Sequence, residues 1–380
     1  MKILWAGPYF SEYAFTVKRA ANIASTVWSH GFVRGLKSNG VEVEVITLCP
    51  EQAWPKGHVL WQNTDSRLFD QDVPVAAIPY LNVFGLREYW QRFFFARKVE
   101  EVLRHGQFDA FVCYDVMHPY HVAGMKVAKQ FGVKICPIIL GSGYDVLAEG
   151  LDKMSRQARH ADGVVFLSQW CADRFPANGR RLLQMEGGVS EWLGREPVRK
   201  RHGEPFFVTY AGGIAVHKGR GLVEMVRGCT RQDVRFIICG KWNVPLVKAA
   251  LGEDPRVELR GMVSNAELRE IYSNTDVFVN CRDTSCGNNF ADFPSKILAY
   301  LAFGRPIVSN WIDSFPEEYR DILCVAEDDT GASMAKKLDE VLAWTLEQRR
   351  ARYDALYKVY DEAKSWQCQA KRFIDFIDEL

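Results

Sequence analysis

Hydrophobic residues in the first half of the chain alternate between short continuous runs and longer segments where they recur every three or four positions. The short runs predict buried strands, and the three-to-four spacing predicts amphipathic helices. Strands are predicted at residues 3–6, 41–48, 75–78, 108–114, 133–140, 163–167 and 182–185. Helices are predicted at residues 20–37, 86–104, 120–131, 146–160 and 169–174. This alternation predicts a doubly wound α/β domain, which binds ligands beyond the carboxyl ends of its strands.

The pattern stops at the charged segment GREPVRKRHGEP and then resumes. Further strands are predicted at 206–211, 235–239, 257–260, 277–280 and 307–309. Further helices are predicted at 219–229, 244–250, 265–273 and 331–344, with another beginning at Pro294. We therefore predict four parts: an N-terminal domain at 1–194, a linker at 195–205, a second domain of the same type at 206–350, and helices at 351–380 that pack across both domains.

Composition narrows the class of protein without defining its function. The 380 residues carry a net charge of +1, which gives no electrostatic case for nucleic-acid binding. Ten cysteines are scattered along the chain, as expected for reduced thiols in a cytoplasmic protein, and their spacing predicts no metal site. The opening MKILWAGPYF predicts a strand followed by a turn rather than a signal peptide. No apolar run in the sequence is long enough to cross a membrane.

The stretch DFPSKILAYLAFG, residues 292–304, has the features of a phosphate-binding helix start. Pro294 suits the first helical position, and the unpaired backbone N–H groups of the first turn favour an anion. Ser295 adds a hydroxyl and Lys296 adds a mobile cation, while Gly304 is expected to end the helix in the left-handed conformation. An ordinary helix with a solvated Lys296 explains these residues equally well.

Several segments, in this order, resemble the GT-B glycosyltransferases, and in particular the GT4-like family of group 1 glycosyl transferases. These segments are ARHADGVVFLSQWCADRF, VTYAGGIAVHKGRGL, RFIICGK, ELRGMVSNAELREIYSNTDVFVNC and DFPSKILAYLAFGRPIVS. The resemblance implies an α/β GT-B fold, in which two Rossmann-like doubly wound domains face a central cleft. It also implies a nucleotide-diphosphate-sugar donor, with neither a metal nor another cofactor.

The resemblance implies a donor site in the second half of the chain. Lys218, Lys296 and the backbone near Ser295 would hold the diphosphate and stabilise the charge of the leaving nucleotide. Glycines would let the backbone approach the pyrophosphate of the donor closely. Met262 and Val263 would contact the base, and Asp292 would contact the sugar. The implied donor-binding residues are Gly212, Gly213, Lys218, Gly240, Lys241, Met262, Val263, Asp292, Pro294, Ser295 and Lys296.

The chain departs from the family pattern at three positions. Gly213 stands where the family usually has an arginine. One cationic side chain that would contact the donor phosphates is therefore missing, or is replaced by Arg220 or Lys241. Ala291 and Ala299 stand where most members have a pair of glutamates near the sugar and the ribose. Three explanations of these departures remain: a divergent donor site, an altered residue at Ala299, or a weakly active protein.

Candidate acceptor residues follow strands of the first half. Ser142 and Asp145 lie in the segment ILGSGYDVL, which resembles a cleft-facing loop of the family, although Asp145 could instead cap the next helix. His118 and His121 follow the strand predicted at 108–114, where a histidine could contact a sugar or accept a proton. A purely structural histidine is the alternative. Asp145 and His118 join Lys218, Lys296 and Asp292 as the candidate catalytic residues.

The predicted helix REYWQRFFFARKVEEVLRHG mixes aromatic and basic residues. Such a mixture occurs in enzymes that lie on a bilayer to reach lipid-linked acceptors, at the inner face of the membrane in a cytoplasmic protein. Burial of Tyr89, Trp90 and residues 93–95 in the first domain's core explains the same pattern, and is the interpretation we favour.

The sequence therefore predicts a glycosyltransferase that moves a sugar from a nucleotide-diphosphate-sugar to a hydroxyl of a saccharide or lipid-linked saccharide. The expected reaction retains the anomeric configuration and serves surface polysaccharide or glycolipid biosynthesis. Two alternatives remain: a catalytically weakened GT-B protein that binds nucleotide-sugar or glycan as a scaffold or regulator, and a nucleotide-sugar epimerase. The sugar, the base, the acceptor and the oligomeric state are not determined by these residues.

Overall fold

The chain folds into two compact units in a computed structural model. The first unit comprises Met1–Gly188 together with Trp366–Leu380, and the second comprises Val189–Ser365. The structure describes residues 1–17, 23–62, 65–70, 72–140, 148–200, 203–213, 219–241, 244–282, 284 and 291–380.

The first unit is built on a seven-stranded parallel sheet. Its strands are β1 (Lys2–Ala6), β2 (Glu42–Thr47), β4 (Val75–Ala77), β6 (Ala110–Tyr114), β7 (Lys134–Ile139), β8 (Gly163–Phe166) and β9 (Arg181–Gln184). They are arranged in the order β4-β2-β1-β6-β7-β8-β9, with β6 in the centre of a doubly wound sheet. A separate antiparallel pair is formed by β3 (Leu60–Trp61) and β5 (Tyr80–Leu81).

Helices cover this sheet because their apolar positions recur at helical spacing. They are α1 (Glu12–Val17), α2 (Ile23–Ser38), α3 (Arg87–His105), α4 (Pro119–Gln130), α5 (Ala148–Gln157), α6 (Gln169–Arg174) and, from the end of the chain, α13 (Trp366–Asp378). A core of buried aromatics joins the sheet to α2 and α13. In it the Trp28 ring lies 6.2 Å from Trp5 and meets Trp366 edge-on at 5.1 Å.

The second unit is built on a six-stranded parallel sheet. Its strands are β10 (Phe206–Ala211), β11 (Val234–Cys239), β12 (Val257–Gly261), β13 (Val277–Asn280), β14 (Ile307–Ser309) and β15 (Cys324–Val325), in the order β12-β11-β10-β13-β14-β15. Its α-helices are α7 (Gly219–Gly228), α8 (Val244–Leu251), α9 (Asn265–Ser273), α10 (Lys296–Leu301), α11 (Gly331–Leu342) and α12 (Leu346–Val359). A π-helical turn, Tyr360–Lys364, follows α12.

The predicted α/β architecture is confirmed, and most predicted elements lie within a few residues of their expected positions. The prediction omitted α1, β3, β5 and β15. Three of these are strands of two residues, which are too short to show an alternating pattern. The helix α1 has six residues and a single buried side chain, Ala14, so it carries little amphipathic signal.

The two units divide the chain differently from the predicted domains. The first segment of the first unit ends at Gly188, so the predicted linker 195–205 lies within the second unit. The tail is divided as well, since α12 belongs to the second unit and α13 to the first. The reason is the apolar face of α13, where Ala370, Phe373 and Ile377 are fully buried in the core of the first unit.

The expectation that the aromatics of α3 are buried is only partly right. Phe95 is buried and packs on Tyr120, and Trp90 and Phe94 are half-buried and stack on each other. Tyr89 and Phe93, in contrast, keep 68% and 49% of their surface exposed. They lie on the opposite side of the helix from its buried residues, Gln91, Phe95, Val99 and Leu103.

Candidate functional site

The candidate donor site lies in the second unit, where the carboxyl ends of three adjacent parallel strands present glycines. Gly212 follows β10, Gly240 follows β11, and Gly261 ends β12. The Gly212 N–H donates to Cys239 O at 3.0 Å, and the Gly240 N–H donates to Gly261 O at 2.7 Å. The turns after these strands therefore lie side by side at the edge where ligands bind in such sheets.

Gly212 and Gly240 both need to be glycine for physical reasons. Their φ angles are +147° and +126°, which side-chain-bearing residues rarely adopt. A methyl group on Gly240 would lie 2.1 Å from Gly212 O, so the two turns could not approach each other as closely. A methyl group on Gly212 would lie 2.8 Å from the Nζ atom of Lys296. Lys296 therefore reaches the glycine turn at the end of β10.

The position of Lys296 is set by neighbours on α10 and β10. Its Nζ atom lies 3.9 Å from the centre of the Tyr210 ring, within the range of a cation–π contact. Tyr300, one helical turn further along α10, receives a hydrogen bond from the Ala211 N–H at 2.9 Å. Burial raises the pKa of the Cys281 thiol to about 12, and the nearby Lys296 charge opposes that increase. The lysine thus brings positive charge into a largely buried region.

The start of α10 differs from the prediction. The helix begins at Lys296, and Ser295 is its N-cap, so Pro294 lies before the helix rather than at its first position. The Ser295 hydroxyl makes no capping hydrogen bond, and its backbone is already helical, with φ −51° and ψ −23°. Pro294 O nevertheless accepts a hydrogen bond from the Ile297 N–H at 2.9 Å, so the chain turns at Pro294 without forming a regular helical turn there. Gly304 ends this region with φ +62°, as predicted.

The remaining predicted donor residues have different surroundings. Gly213 has room for a side chain, because a methyl group there would come no closer than 3.8 Å, to Lys241 O. Met262 is 75% exposed after β12, whereas Val263 packs on the apolar cluster of the second unit. Lys241 is exposed after β11. Three predicted site residues, Lys218, Ser142 and Asp145, lie outside the described residues.

Arg282 is a charged residue at this edge that the sequence analysis did not select. It follows β13, and its backbone is held on both sides by Asn310, whose amide accepts from the Arg282 N–H at 2.9 Å and donates to Arg282 O at 2.9 Å. Burial lowers the pKa of Arg282, and the Asp292 carboxylate and Tyr210 oppose that shift. Arg282 therefore shares the surroundings of Asp292 and Tyr210. A basic residue two positions after a predicted strand was a signal that could have identified it.

The candidate acceptor site is a cavity of about 860 Å³ in the first unit. It lies at the carboxyl ends of β1, β2, β6 and β7, where Gly7, Thr47, Asp115 and Leu140 line it. Both predicted histidines line it as well. His118 is exposed and its ring stacks on Tyr120, whereas His121 is 3% exposed.

Asp115 positions His121 through an unusual backbone conformation. Its φ angle is +85°, which is rare for a residue other than glycine, and residues in such conformations are enriched at functional sites. The Met117 N–H donates to the Asp115 carboxylate at 2.9 Å and stabilises the turn. This conformation aims Asp115 O at the His121 ring, whose Nδ1 lies 2.9 Å away.

The contact with Asp115 O determines the form of His121. Burial, together with the neighbouring His118, lowers the pKa of His121 to about 3, so the ring is neutral near pH 7. A carbonyl oxygen can only accept a hydrogen bond, so Nδ1 carries the single ring proton. Nε2 is therefore the basic nitrogen, able to accept a hydrogen bond from a hydroxyl group.

The described residues contain no group of three or more His, Cys, Asp or Glu side chains placed to hold a metal ion. Within the same residues, no helix combines the length and the apolar character needed to cross a bilayer. Metal-independent chemistry remains a prediction of the family resemblance.

Comparison with known proteins shows which family model the second unit matches and which solved structures the whole chain resembles in fold. Residues 207–343 match the family model of group 1 glycosyl transferases. Among curated protein sequences, none matches this chain. Over the whole chain, the fold is similar to that of solved GT-B structures, which confirms the predicted fold class.

Three of these structures show the extent of the similarity, and each is covered completely by this chain. The lipopolysaccharide outer core galactosyltransferase WaaB, in its apo form, is 16% identical with a TM-score of 0.66. Anabaena HepE in complex with UDP and glucose is 13% identical with a TM-score of 0.68. The UDP-forming α,α-trehalose-phosphate synthase of Burkholderia vietnamiensis is 12% identical with a TM-score of 0.64. All three alignments also cover 100% of this chain.

Proposed function

We propose that this chain, a GT-B protein whose residues 207–343 match group 1 glycosyl transferases, moves a sugar from a nucleotide-diphosphate-sugar to a hydroxyl acceptor. The observation that carries the proposal is the approach of Lys296 to the turn at Gly212, next to Gly240. That arrangement combines a cation with backbone unobstructed by side chains, which a pyrophosphate requires.

In the proposed reaction the bond between the sugar's anomeric carbon and the phosphate oxygen breaks, and the nucleoside diphosphate leaves with the bonding electrons. An acceptor hydroxyl oxygen forms the new bond to the anomeric carbon, and its proton passes to an oxygen of the departing diphosphate. Charge accumulates on the leaving diphosphate, where Lys296 stabilises it. We propose that the anomeric configuration is retained and that no metal ion takes part, as the family resemblance implies.

We propose that Arg282 supplies the second cation of the donor site. The family's usual arginine is replaced here by Gly213, which leaves room beside β10. Arg282 reaches the same surroundings from the adjacent strand β13 and interacts electrostatically with Tyr210, as Lys296 does through its ring contact. The Asp292 carboxylate lies within electrostatic range of Arg282 and is our candidate for contact with the donor sugar.

The acceptor is proposed to bind in the cavity of the first unit. Nε2 of neutral His121 can accept a hydrogen bond from a sugar hydroxyl, and His118 can contact the same ligand from the cavity wall. Aromatic side chains, among them Phe10, Tyr114 and Tyr120, give the cavity apolar faces suited to sugar rings. A saccharide or lipid-linked saccharide is thus the proposed acceptor, in the synthesis of a surface polysaccharide or glycolipid.

Donor turnover provides the test. The protein is incubated with UDP-, GDP- and dTDP-sugars, and slow hydrolysis to free sugar and nucleoside diphosphate is measured. We expect one nucleotide class to be hydrolysed, and we expect Lys296→Ala to lower that rate by about 100-fold, as for removal of a charge-stabilising group. Lys248→Ala, which removes an exposed lysine of α8, is the matched control and should retain the rate.

The same measurement distinguishes the other candidates. Tight binding of a nucleotide-sugar without any turnover would indicate a binding protein. Release of an epimerised sugar would indicate an epimerase. Hydrolysis that persists in Lys296→Ala would show that the donor phosphates lie elsewhere.

A further inference from the structure

The helix pair α3 and α4 carries an exposed surface that the proposed donor and acceptor sites do not use. Three large apolar side chains, Leu86 at the N-cap of α3 and Tyr89 and Phe93 on the helix itself, are 50%, 68% and 49% exposed. Leu86, Tyr89 and Phe93 recur at three- and four-residue spacing, so they form one stripe along α3. Beside the stripe, a groove of about 840 Å³ runs between α3 and α4.

The charges around this groove are predominantly positive. Arg92 and Arg97 of α3 and Lys126 of α4 line it; none of them forms a salt bridge with another described residue, although Arg97 interacts electrostatically with Glu101. Glu100 is the acidic residue of the lining, and it pairs with Arg104 at 2.5 Å. The surface therefore combines exposed aromatic and aliphatic groups with an excess of basic over acidic side chains. We call it the α3–α4 face.

We propose that the α3–α4 face docks onto the surface of an anionic lipid bilayer. Apolar groups flanked by basic side chains suit the boundary between acyl chains and anionic headgroups, and tyrosine is enriched at that depth. A second copy of this chain fits less well, because symmetric pairing of the face would bring Arg92, Arg97 and Lys126 close to their own counterparts. The helix lies on the membrane in this proposal and does not cross it.

Docking has a consequence for the substrate that rests on the proposed function. Arg87, Glu88 and Gln91, also on α3, line the candidate acceptor cavity. The same helix therefore contributes to the α3–α4 face and to that cavity within the first unit. A bilayer bound at this face would hold the cavity near the lipid surface, where lipid-linked saccharides are presented.

Vesicle co-sedimentation of the full-length protein, without any donor, tests the proposal. Vesicles of phosphatidylcholine containing phosphatidylglycerol are compared with vesicles of phosphatidylcholine alone. We expect binding to the anionic vesicles, weakened by added salt because the attraction between charges is screened. The double variant Arg92→Glu/Arg97→Glu should reduce partitioning by about tenfold or more, since each basic residue near the surface contributes separately.

Matched variants separate the α3–α4 face from general effects of charge and hydrophobicity. Arg199→Glu/Arg350→Glu makes the same change in net charge at two exposed sites of the second unit and should leave binding unchanged. Tyr89→Ser/Phe93→Ser should weaken binding, whereas Val27→Ser/Val198→Ser, at residues 58% and 77% exposed, should not. Circular dichroism and donor hydrolysis of each variant check that the fold and the donor site are intact.

Three results would overturn the proposal. The first is that the wild-type protein does not bind anionic vesicles, and the second is that the control variants lose as much binding as the variants of the α3–α4 face. The third is that variants of the face abolish self-association in sedimentation velocity but leave vesicle binding unchanged. The last result would assign the face to a second copy of the chain. Donor hydrolysis that persists in any of these cases would leave the glycosyltransferase proposal standing.

Discussion

At the residue scale, the candidate donor site depends on the absence of a side chain at Gly212. The absence of a side chain lets the backbone keep φ +147° and lets the Lys296 ammonium group approach the turn after β10. A phosphate can contact backbone N–H groups at such a turn, since no Cβ atom stands in front of them. The glycine and the lysine therefore act together although they are far apart in sequence.

The variant Gly212→Ala tests this dependence. The new methyl group would lie 2.8 Å from Lys296 Nζ and 3.1 Å from its Cε, so the flexible lysine must move away. We expect donor affinity, measured by isothermal titration with the nucleotide that the hydrolysis panel identifies, to fall by about tenfold, the loss of one charge-assisted contact.

Gly132→Ala is the matched control, because Gly132 also has a positive φ, +70°, and a methyl group there meets no atom within 4 Å. Both variants should lose about 1 kcal/mol of stability from backbone strain, but only Gly212→Ala should lose affinity. Equal affinity in the two variants would contradict the role of Gly212.

His121 makes a pH-dependent contribution to stability. Its pKa is about 3 in the folded protein and about 6.5 in an unfolded chain, so between these values only the unfolded chain binds the proton. The free energy of unfolding therefore falls as the pH is lowered from about 6.5, by up to about 1.4 kcal/mol per pH unit from this residue.

Chemical denaturation at a series of pH values measures this slope. We expect His121→Gln to flatten it relative to wild type, whereas His105→Gln, at an exposed position of α3, should preserve it. An unchanged slope in His121→Gln would show that other groups account for the acid sensitivity of the protein.

Sequence reasoning found some of the candidate site and missed other parts for identifiable reasons. Lys296 and Gly212 could be selected because a Pro-Ser-Lys segment and a Gly-Gly turn are local patterns. Arg282 was overlooked because Asn310, Asp292 and Tyr210, which form its surroundings, come together around it only in the folded chain. The strained backbone of Asp115 has no sequence signal at all.

At the scale of elements, helical periodicity predicted α3 but not which of its aromatics are buried. Aromatic residues occur around much of this helix, so the pattern alone could not define the face that packs on the protein. Contact with α4 decides it, since Phe95 packs on Tyr120 and Gly124 while Tyr89 and Phe93 remain exposed.

The contact between α2 and α13 depends on the small size of Gly31. A methyl group at Gly31 would lie 1.9 Å from the Trp366 Nε1 atom, and the indole ring is 6% exposed, so it has little room to move. We expect Gly31→Ala to destabilise the protein by about 3 kcal/mol through overpacking, measured by thermal or denaturant unfolding.

The exposed Ser38→Ala, at the end of the same helix, should change stability by less than about 0.5 kcal/mol. A Gly31→Ala protein as stable as this control would indicate that α13 does not pack against α2 as described.

At the scale of the whole molecule, the chain passes from one unit to the other twice. The second unit, Val189–Ser365, is inserted into the first, and the final segment Trp366–Leu380 returns to it. The return is secured by apolar burial and by polar contacts, such as the Lys134 ammonium group donating to Ile377 O at 2.7 Å. The final helix is therefore part of the first unit's fold, and its loss would expose that unit's core.

The sequence by itself determined the α/β class, the approximate position of most strands and helices, and the resemblance to group 1 glycosyl transferases. These properties are local: they depend on the periodicity of apolar residues and on short turn motifs, which can be recognised without knowing what lies nearby. The tertiary structure alone decided the return of α13 to the first unit, the approach of Lys296 to Gly212 and the exposed stripe on α3. Each of these is a contact, or the lack of one, between residues far apart in the chain, and packing determines such contacts only when all the elements are in place.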